Sequence, residues 1–218
     1  DVYKRQNLLS DDTIQKIAAG EVVERPQSII KELVENSIDA EADEIIVEIK
    51  KGGKDYIKVS DNGSGIEKDQ IEMAFMRHAT SKINQFEDLY KIYTMGFRGE
   101  ALASIVAVSS LDIYSKTQSD ASGIHLSYDN NKLISKKSTG MNKGTIIEVR
   151  NLFEYLPVRK KFLSSDIAES NKITALMYSF AIANYDTSIT YIKDDKLIFK
   201  TFKENTLKDN LRILFGND

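Results

Sequence analysis

In the segment that follows Pro26, apolar residues cover most of a helix. Ile29, Ile30, Leu33, Val34, Ser37 and Ile38 make the covered part, while Glu32, Glu35, Asn36 and Asp39 fall on one narrow stripe at about 3.6 residues per turn. An earlier helix is expected over residues 11–19, capped by Ser10 and ended by Gly20. Strands are expected at 44–51 and 55–60, with Gly52-Gly53 as the turn between them. Four more strands are expected at 110–116, 123–128, 132–137 and 145–150, and Asp129-Asn130-Asn131 makes a hairpin turn. An Ala/Leu/Ile helix precedes them at Ala101-Leu102-Ala103-Ser104-Ile105. Residues 166–183 place Ile173, Leu176, Met177, Phe180 and Ala181 at helical spacing, a core-facing helix, and strands 188–193 and 196–201 close on Asp194-Asp195.

Hairpins mixed with helices in this order predict an α+β fold, a two-layer sandwich with helices on one face of a mixed, mostly antiparallel sheet. One domain is expected over 7–205, with 206–218 as the start of a following one. Residues 1–6 lack an initiator Met and read as a cloning or translation scar.

Composition narrows the function classes. The chain has 218 residues, 41% of them hydrophobic, enough for one substantial core. No apolar run approaches the roughly 20 residues of a membrane span, so a soluble protein with no membrane partner is expected. The absence of cysteine excludes disulfides and thiolate metal sites and agrees with the cytoplasm. A net charge of -3 argues against a strongly basic nucleic-acid module. Local basic clusters remain at Lys50, Lys51 and Lys54, at Lys136 and Lys137, and at Arg159 to Lys161. His78 and His125 lack a metal-ligand constellation. No P-loop is present, and Lys68 stands where a dinucleotide fingerprint needs its third glycine.

Three segments carry candidate chemistry. Carboxylates gathered on one helical stripe repel one another unless a partner compensates, and they would otherwise form a solvated acidic face. A magnesium ion is one such partner, since it takes one or two protein oxygens together with phosphates and water. Asn36 would offer its amide oxygen, and Glu32, one turn earlier, would take a proton from a water aimed at a phosphate. Asp61-Asn62-Gly63-Ser64-Gly65 at a strand end reads either as a plain turn or as a base-recognition loop, with the Asp61 carboxylate accepting from an exocyclic amine such as that of adenine. Gly96-Phe97-Arg98-Gly99 runs into a helix whose first amides would suit phosphate oxygens, or is a flexible entry. Arg77-His78-Ala79-Thr80-Ser81-Lys82 adds hydroxyls and an ammonium upstream.

In this order, Glu32-x-x-x-Asn36, Asp61-x-Gly63-x-Gly65, Gly96-Phe97-Arg98-Gly99-Glu100-Ala101 and Gly144-Thr145 resemble the Bergerat-type ATP-binding fold of gyrase, large heat-shock chaperones, histidine kinases and MutL. Ile17-Ala18-Ala19-Gly20-Glu21-Val22-Val23-Glu24-Arg25-Pro26, residues 77–82 and residues 96–105 are most similar to the MutL family of DNA mismatch-repair proteins, and the resemblance covers about residues 7–218. It implies a magnesium-dependent ATPase with Glu32 as general base, Asn36 as magnesium ligand and Asp61 as adenine partner. Gly63 and Gly65 would supply the closely approached backbone, and Thr80, Ser81, Lys82, Gly96, Phe97, Arg98 and Gly99 a lid. Thr145 would offer a hydroxyl supporting Asp61 and the adenine. Homodimerisation on ATP binding is implied too, as are the mismatch-recognition protein MutS, a downstream endonuclease or helicase, and weak DNA contact as partners. A scaffold that binds ATP but hydrolyses it negligibly alone is the other class, because in such proteins a lysine of the following domain reaches the γ-phosphate.

Two departures stand out. Asp39-Ala40-Glu41-Ala42 replaces the family's Asp-Ala-Gly-Ala, which would put Glu41 at positive φ for a cost of about 1 kcal/mol. Tyr155-Leu156-Pro157-Val158 stands where Asn-Thr-Pro-Ala is usual.

Overall fold

The computed structural model describes residues 10–76 and 100–216. In chain order the elements are α1 (Asp11–Val22), α2 (Pro26–Asp39), β1 (Glu44–Lys50), β2 (Tyr56–Asp61), α3 (Ala101–Val108) and β3 (Ser110–Lys116). They continue with β4 (Gly123–Asp129), β5 (Lys132–Thr139), β6 (Gly144–Arg150), α4 (Pro157–Phe162), α5 (Asp166–Ala183), β7 (Ser188–Lys193), β8 (Lys196–Lys200) and α6 (Leu207–Phe215). Eight strands form one sheet in the order β5-β4-β3-β6-β2-β1-β7-β8. Among the described residues only the β1–β7 pair is parallel, so the sheet is mixed and mostly antiparallel, as expected.

Strand alternation sets one buried face. Ile45, Val47 and Ile49 of β1, Ile57 and Val59 of β2, Leu111 and Ile113 of β3, and Ile147 and Val149 of β6 are buried. They share one core with Ile29, Ile30, Leu33 and Val34 of α2, Ile105 of α3, and Ile173 and Met177 of α5, and each such side chain contributes about 1.5–3 kcal/mol through burial. Polar pairs hold a second surface: Tyr114 stacks on His125 with ring centroids 4.1 Å apart, and Asp112 accepts from His125 (2.8 Å) and Arg150 (2.6 Å). His125 therefore serves a structural network.

Both short hairpins turn through paired left-handed residues, Asn130 and Asn131 (φ 45° and 63°) and Asp194 and Asp195 (φ 49° and 63°), the conformation that matches strand twist. Gly20 does not end α1. The helix runs on to Val22 and closes with the Val23 amide on the Ala19 carbonyl at 2.8 Å, and Arg159 packs so closely over Gly20 that a Cβ there would lie 2.9 Å from Nε. Two helices were not anticipated, α4 and α6. The latter lies on α5, with buried Asn210 donating to the Ala181 carbonyl at 3.2 Å and Leu214 buried. Among the described residues no helix is long and apolar enough to cross a membrane.

Candidate nucleotide site

Asp61 is the last residue of β2, paired across the sheet with Ile45 of β1 and Thr145 of β6. Its carboxylate gathers three donors. Oδ1 accepts the Gly63 amide (2.9 Å) and the Thr145 amide (3.2 Å), and Oδ2 accepts the Ser37 hydroxyl (2.9 Å). Burial pushes the Asp61 carboxyl above its usual range, while the Gly63 amide, the Ser37 hydroxyl, the Thr145 amide and the Lys143 charge all favour the ionised form.

The loop around Asp61 is tied on every side. Asn62 Oδ1 accepts the amides of Asp43 and Glu44 at 2.9 Å each, and the Ser64 amide reaches the Ala40 carbonyl at 2.9 Å. Buried Ser115 accepts the Ile66 amide at 2.8 Å and lies 3.2 Å from the Thr145 hydroxyl. Gly65 has φ 76°, and a Cβ there would stand 2.2 Å from the Lys116 carbonyl oxygen; at Gly144, φ 129°, a Cβ would stand 2.0 Å from the Asp61 carbonyl oxygen. Only glycine fits either position.

Helix α2 runs from Pro26 at its first turn to Asp39. Glu41 then takes φ 56°, the left-handed exit expected of it in place of glycine. The acidic stripe differs from its sequence reading. Glu35 is buried and pairs with Lys31 at 2.8 Å, so its compensating charge is a lysine one turn back. Glu32, Asn36 and Asp39 are half-buried. No cluster of three His, Cys, Asp or Glu side chains able to hold a metal occurs among the described residues, and a magnesium ion held by Asn36 would rely on phosphate and water oxygens for the rest of its shell.

Ser37 was read as part of the covered, apolar side of the helix; it is the hydroxyl that meets Asp61. Thr145 was expected to do this through its own hydroxyl, but it uses its amide, and its hydroxyl faces Ser115. Thr145 is paired across the sheet with Asp61 on one side and Ser115 on the other, and its hydroxyl takes Ser115 as partner. A small polar residue next to Asn36 on an otherwise apolar face was the available signal for Ser37. Thr80, Ser81, Lys82, Gly96, Phe97, Arg98 and Gly99, together with His78, lie outside the described residues. The first described residue after them, Glu100, is the N-cap of α3.

Most members of the basic clusters have acidic neighbours. Lys50 pairs with Asp195, Lys51 with Asp55, Lys54 with Asp166, Lys136 with Glu72 and Lys160 with Glu154.

The chain is similar to known ATPases in sequence and in fold. Residues 24–155 match the family of histidine kinase-, DNA gyrase B-, and HSP90-like ATPases. The DNA mismatch repair protein MutL of Clostridium tetani is 48% identical over 213 residues, which is 98% of this chain and 34% of that protein. MutL of Caldanaerobacter subterraneus is 46% identical over 97% of this chain and 36% of its own. The chain thus spans about a third of the length of these relatives. Among solved structures, the Aquifex aeolicus MutL ATPase domain complexed with ADP is 31% identical with a TM-score of 0.76, over 90% of this chain and 71% of that one. The N-terminal domain of a DNA repair protein reaches a TM-score of 0.80 at 35% identity, over 96% of this chain and 62% of that one. The chain belongs to the histidine kinase-, DNA gyrase B- and HSP90-like ATPases and, within them, to the MutL ATPase domains.

Proposed function

We propose that α2, the end of β2 and the start of β6 bound an ATP site, and that the chain binds and hydrolyses ATP as the nucleotide-driven part of a mismatch-repair protein. The observation that carries this reading is the Asp61 corner. A carboxylate positioned by Gly63, Thr145 and Ser37 is an acceptor set up for a donor on the ligand, and the exocyclic amine of adenine is such a donor. Guanine presents a carbonyl oxygen at the same ring position, which Asp61 would repel.

The rest of the site follows from α2. Glu32, Asn36 and Ser37 lie on one helix, so the base-reading end and the water-activating end are separated by a fixed rise of roughly 7.5 Å along its axis. Asn36 would hold magnesium, which when bound supplies positive charge to neutralise the phosphates. Glu32 orients a water and takes its proton as the water attacks the terminal phosphorus, whose bond to the bridging oxygen breaks so that ADP leaves with that oxygen. Thr80, Ser81, Lys82 and Gly96 to Gly99 would close over the phosphates as a lid, and the closed form would favour a homodimer, since a ligand shifts an equilibrium only by its differential affinity. MutS, a downstream endonuclease or helicase, and weakly held DNA are the partners this reading assigns to the longer protein in the cytoplasm.

The test is nucleotide selectivity. Calorimetric titration with magnesium and ATP or GTP should show ATP binding at least about tenfold more tightly, the loss expected when one hydrogen bond to a charged group is replaced by repulsion. Equal affinity for the two would remove the reading.

A further inference from the structure

Ser37 has one hydroxyl proton and two acceptors within reach. One is the Leu33 carbonyl at 3.1 Å, the ordinary back-bond of a helical serine; the other is Asp61 Oδ2 at 2.9 Å, on a different element 24 residues away in sequence. The side chain is 3% exposed, so water cannot substitute for it. A carboxylate attracts that proton more strongly than a peptide carbonyl does, because hydrogen bonds to ionised acceptors are roughly twice as strong as neutral ones.

We propose that Ser37 is a positioning residue for base recognition: by donating to Oδ2 it fixes the carboxylate of Asp61 and sets how well that group accepts an adenine amine. The inference rests on Asp61 as base reader and adds a residue that does not touch the nucleotide. Its logic is geometric. Oδ1 accepts two amides, of Gly63 and Thr145, and the Ser37 hydroxyl is the donor to the opposite oxygen. A third bond on Oδ2 resists tilting of the planar carboxylate and leaves Oδ2 acceptor capacity for a donor on the ligand.

Charge enters in the same direction. The groups acting on Asp61 are Ser37 from α2, the Gly63 amide from its own loop, and the Thr145 amide and Lys143 from the β6 side, all opposing burial. Removing the hydroxyl deletes one of the groups that favour ionisation, so Asp61 would titrate at higher pH. Since the ionised form accepts the amine, ATP affinity is present above that titration and lost as pH falls through it. Ser37 also stands on the helix that carries Glu32 and Asn36, so the base-reading carboxylate is tied directly to the helix that would handle the phosphates.

The experiment uses the wild-type chain, Ser37→Ala, Ser37→Cys, Ser37→Thr and Asp61→Ala, each first checked by thermal melting. The Asp61 carboxyl is followed by carbon-detected NMR against pH without nucleotide, and magnesium-ATP affinity is measured across the same range. The inference expects the Asp61 midpoint in Ser37→Ala to rise by about one pH unit, equivalent to a tenfold bias against the charged form. It also expects the fall in ATP affinity to move up with that midpoint, with KM for ATP rising by a larger factor than kcat falls. Ser37→Cys, a weak donor of similar size, should follow Ser37→Ala should the latter not fold. Ser37→Thr, which keeps the hydroxyl, should restore both profiles. An unchanged midpoint or an unchanged affinity profile in the variants that lack the hydroxyl would overturn the role of Ser37 and place its proton on Leu33. Asp61→Ala separates the two ideas: if it binds ATP as the wild type does, the base-reading assignment itself fails.

Discussion

The two ends of α2 are built on opposite plans. Its C-terminal end is fastened to the end of β2 and the loop beyond it: Ser37 reaches Asp61 and the Ser64 amide reaches the Ala40 carbonyl, while the Ala42 amide closes the helix exit on the Ser37 carbonyl. Its N-terminal end has no side-chain cap on Arg25 and opens on a cleft of about 390 Å³ lined in part by Arg25, Arg159, Phe162 and Glu169. There the buried Glu169 carboxylate lies 3.9 Å from the Arg25 guanidinium, and its Oε2 has no hydrogen-bond partner among the described residues. One end holds an acceptor with hydrogen bonds to both of its oxygens, while the other tolerates imperfect pairing. A site that must distinguish one base from another needs the first, because a misplaced acceptor loses its directional hydrogen bond.

Breaking the fastened end should cost the most. Gly144→Ala places a methyl group 2.0 Å from the Asp61 carbonyl oxygen at φ 129°, and chemical denaturation should show a loss of about 3 kcal/mol or more. ATP binding should be lost with it. Next comes the middle of the helix. Glu32→Ala should keep magnesium-dependent ATP binding and lower steady-state turnover about 100-fold or more, as removal of a general base does; undiminished turnover would remove Glu32 from the chemistry. The smallest effect belongs to the loose end. Arg25→Ala should lower stability by no more than about 1 kcal/mol, since the 3.9 Å pair is long and Arg25 is partly exposed, with ATP affinity unchanged. A large loss of ATP affinity in that variant would erase the contrast between the ends.

Local patterns carried much of this fold into the sequence. The helix over 166–183 has the bounds of α5, and Asn130-Asn131 and Asp194-Asp195 turn as the turn chemistry requires. Glu32, Asn36 and Asp61 stood out because spacing places the first two one turn apart and the third at a strand end before glycines. What was missed depends on distant contacts. Gly20 lies inside α1 with Arg159 of α4 packed over it, and Ser37 finds its partner 24 residues later. The parallel β1–β7 pair joins strands about 140 residues apart, which no local period announces. Helix α4 was legible in principle, with Pro157 in its first turn and Arg159, Lys160 and Lys161 in its last. The partner of Glu35 was not legible, because a stripe shows which charges share a face, not which of them already has Lys31.

The central claim is that the Asp61 carboxylate reads the exocyclic amine of adenine. The most direct measurement is a cycle of dissociation constants for ATP and for purine riboside triphosphate, which lacks that amine, on the wild type and on Asp61→Ala. The account predicts that the wild type prefers ATP by about 10- to 100-fold, the worth of a charge-assisted hydrogen bond, and that Asp61→Ala binds the two nucleotides alike. The same preference for ATP in both proteins would contradict it.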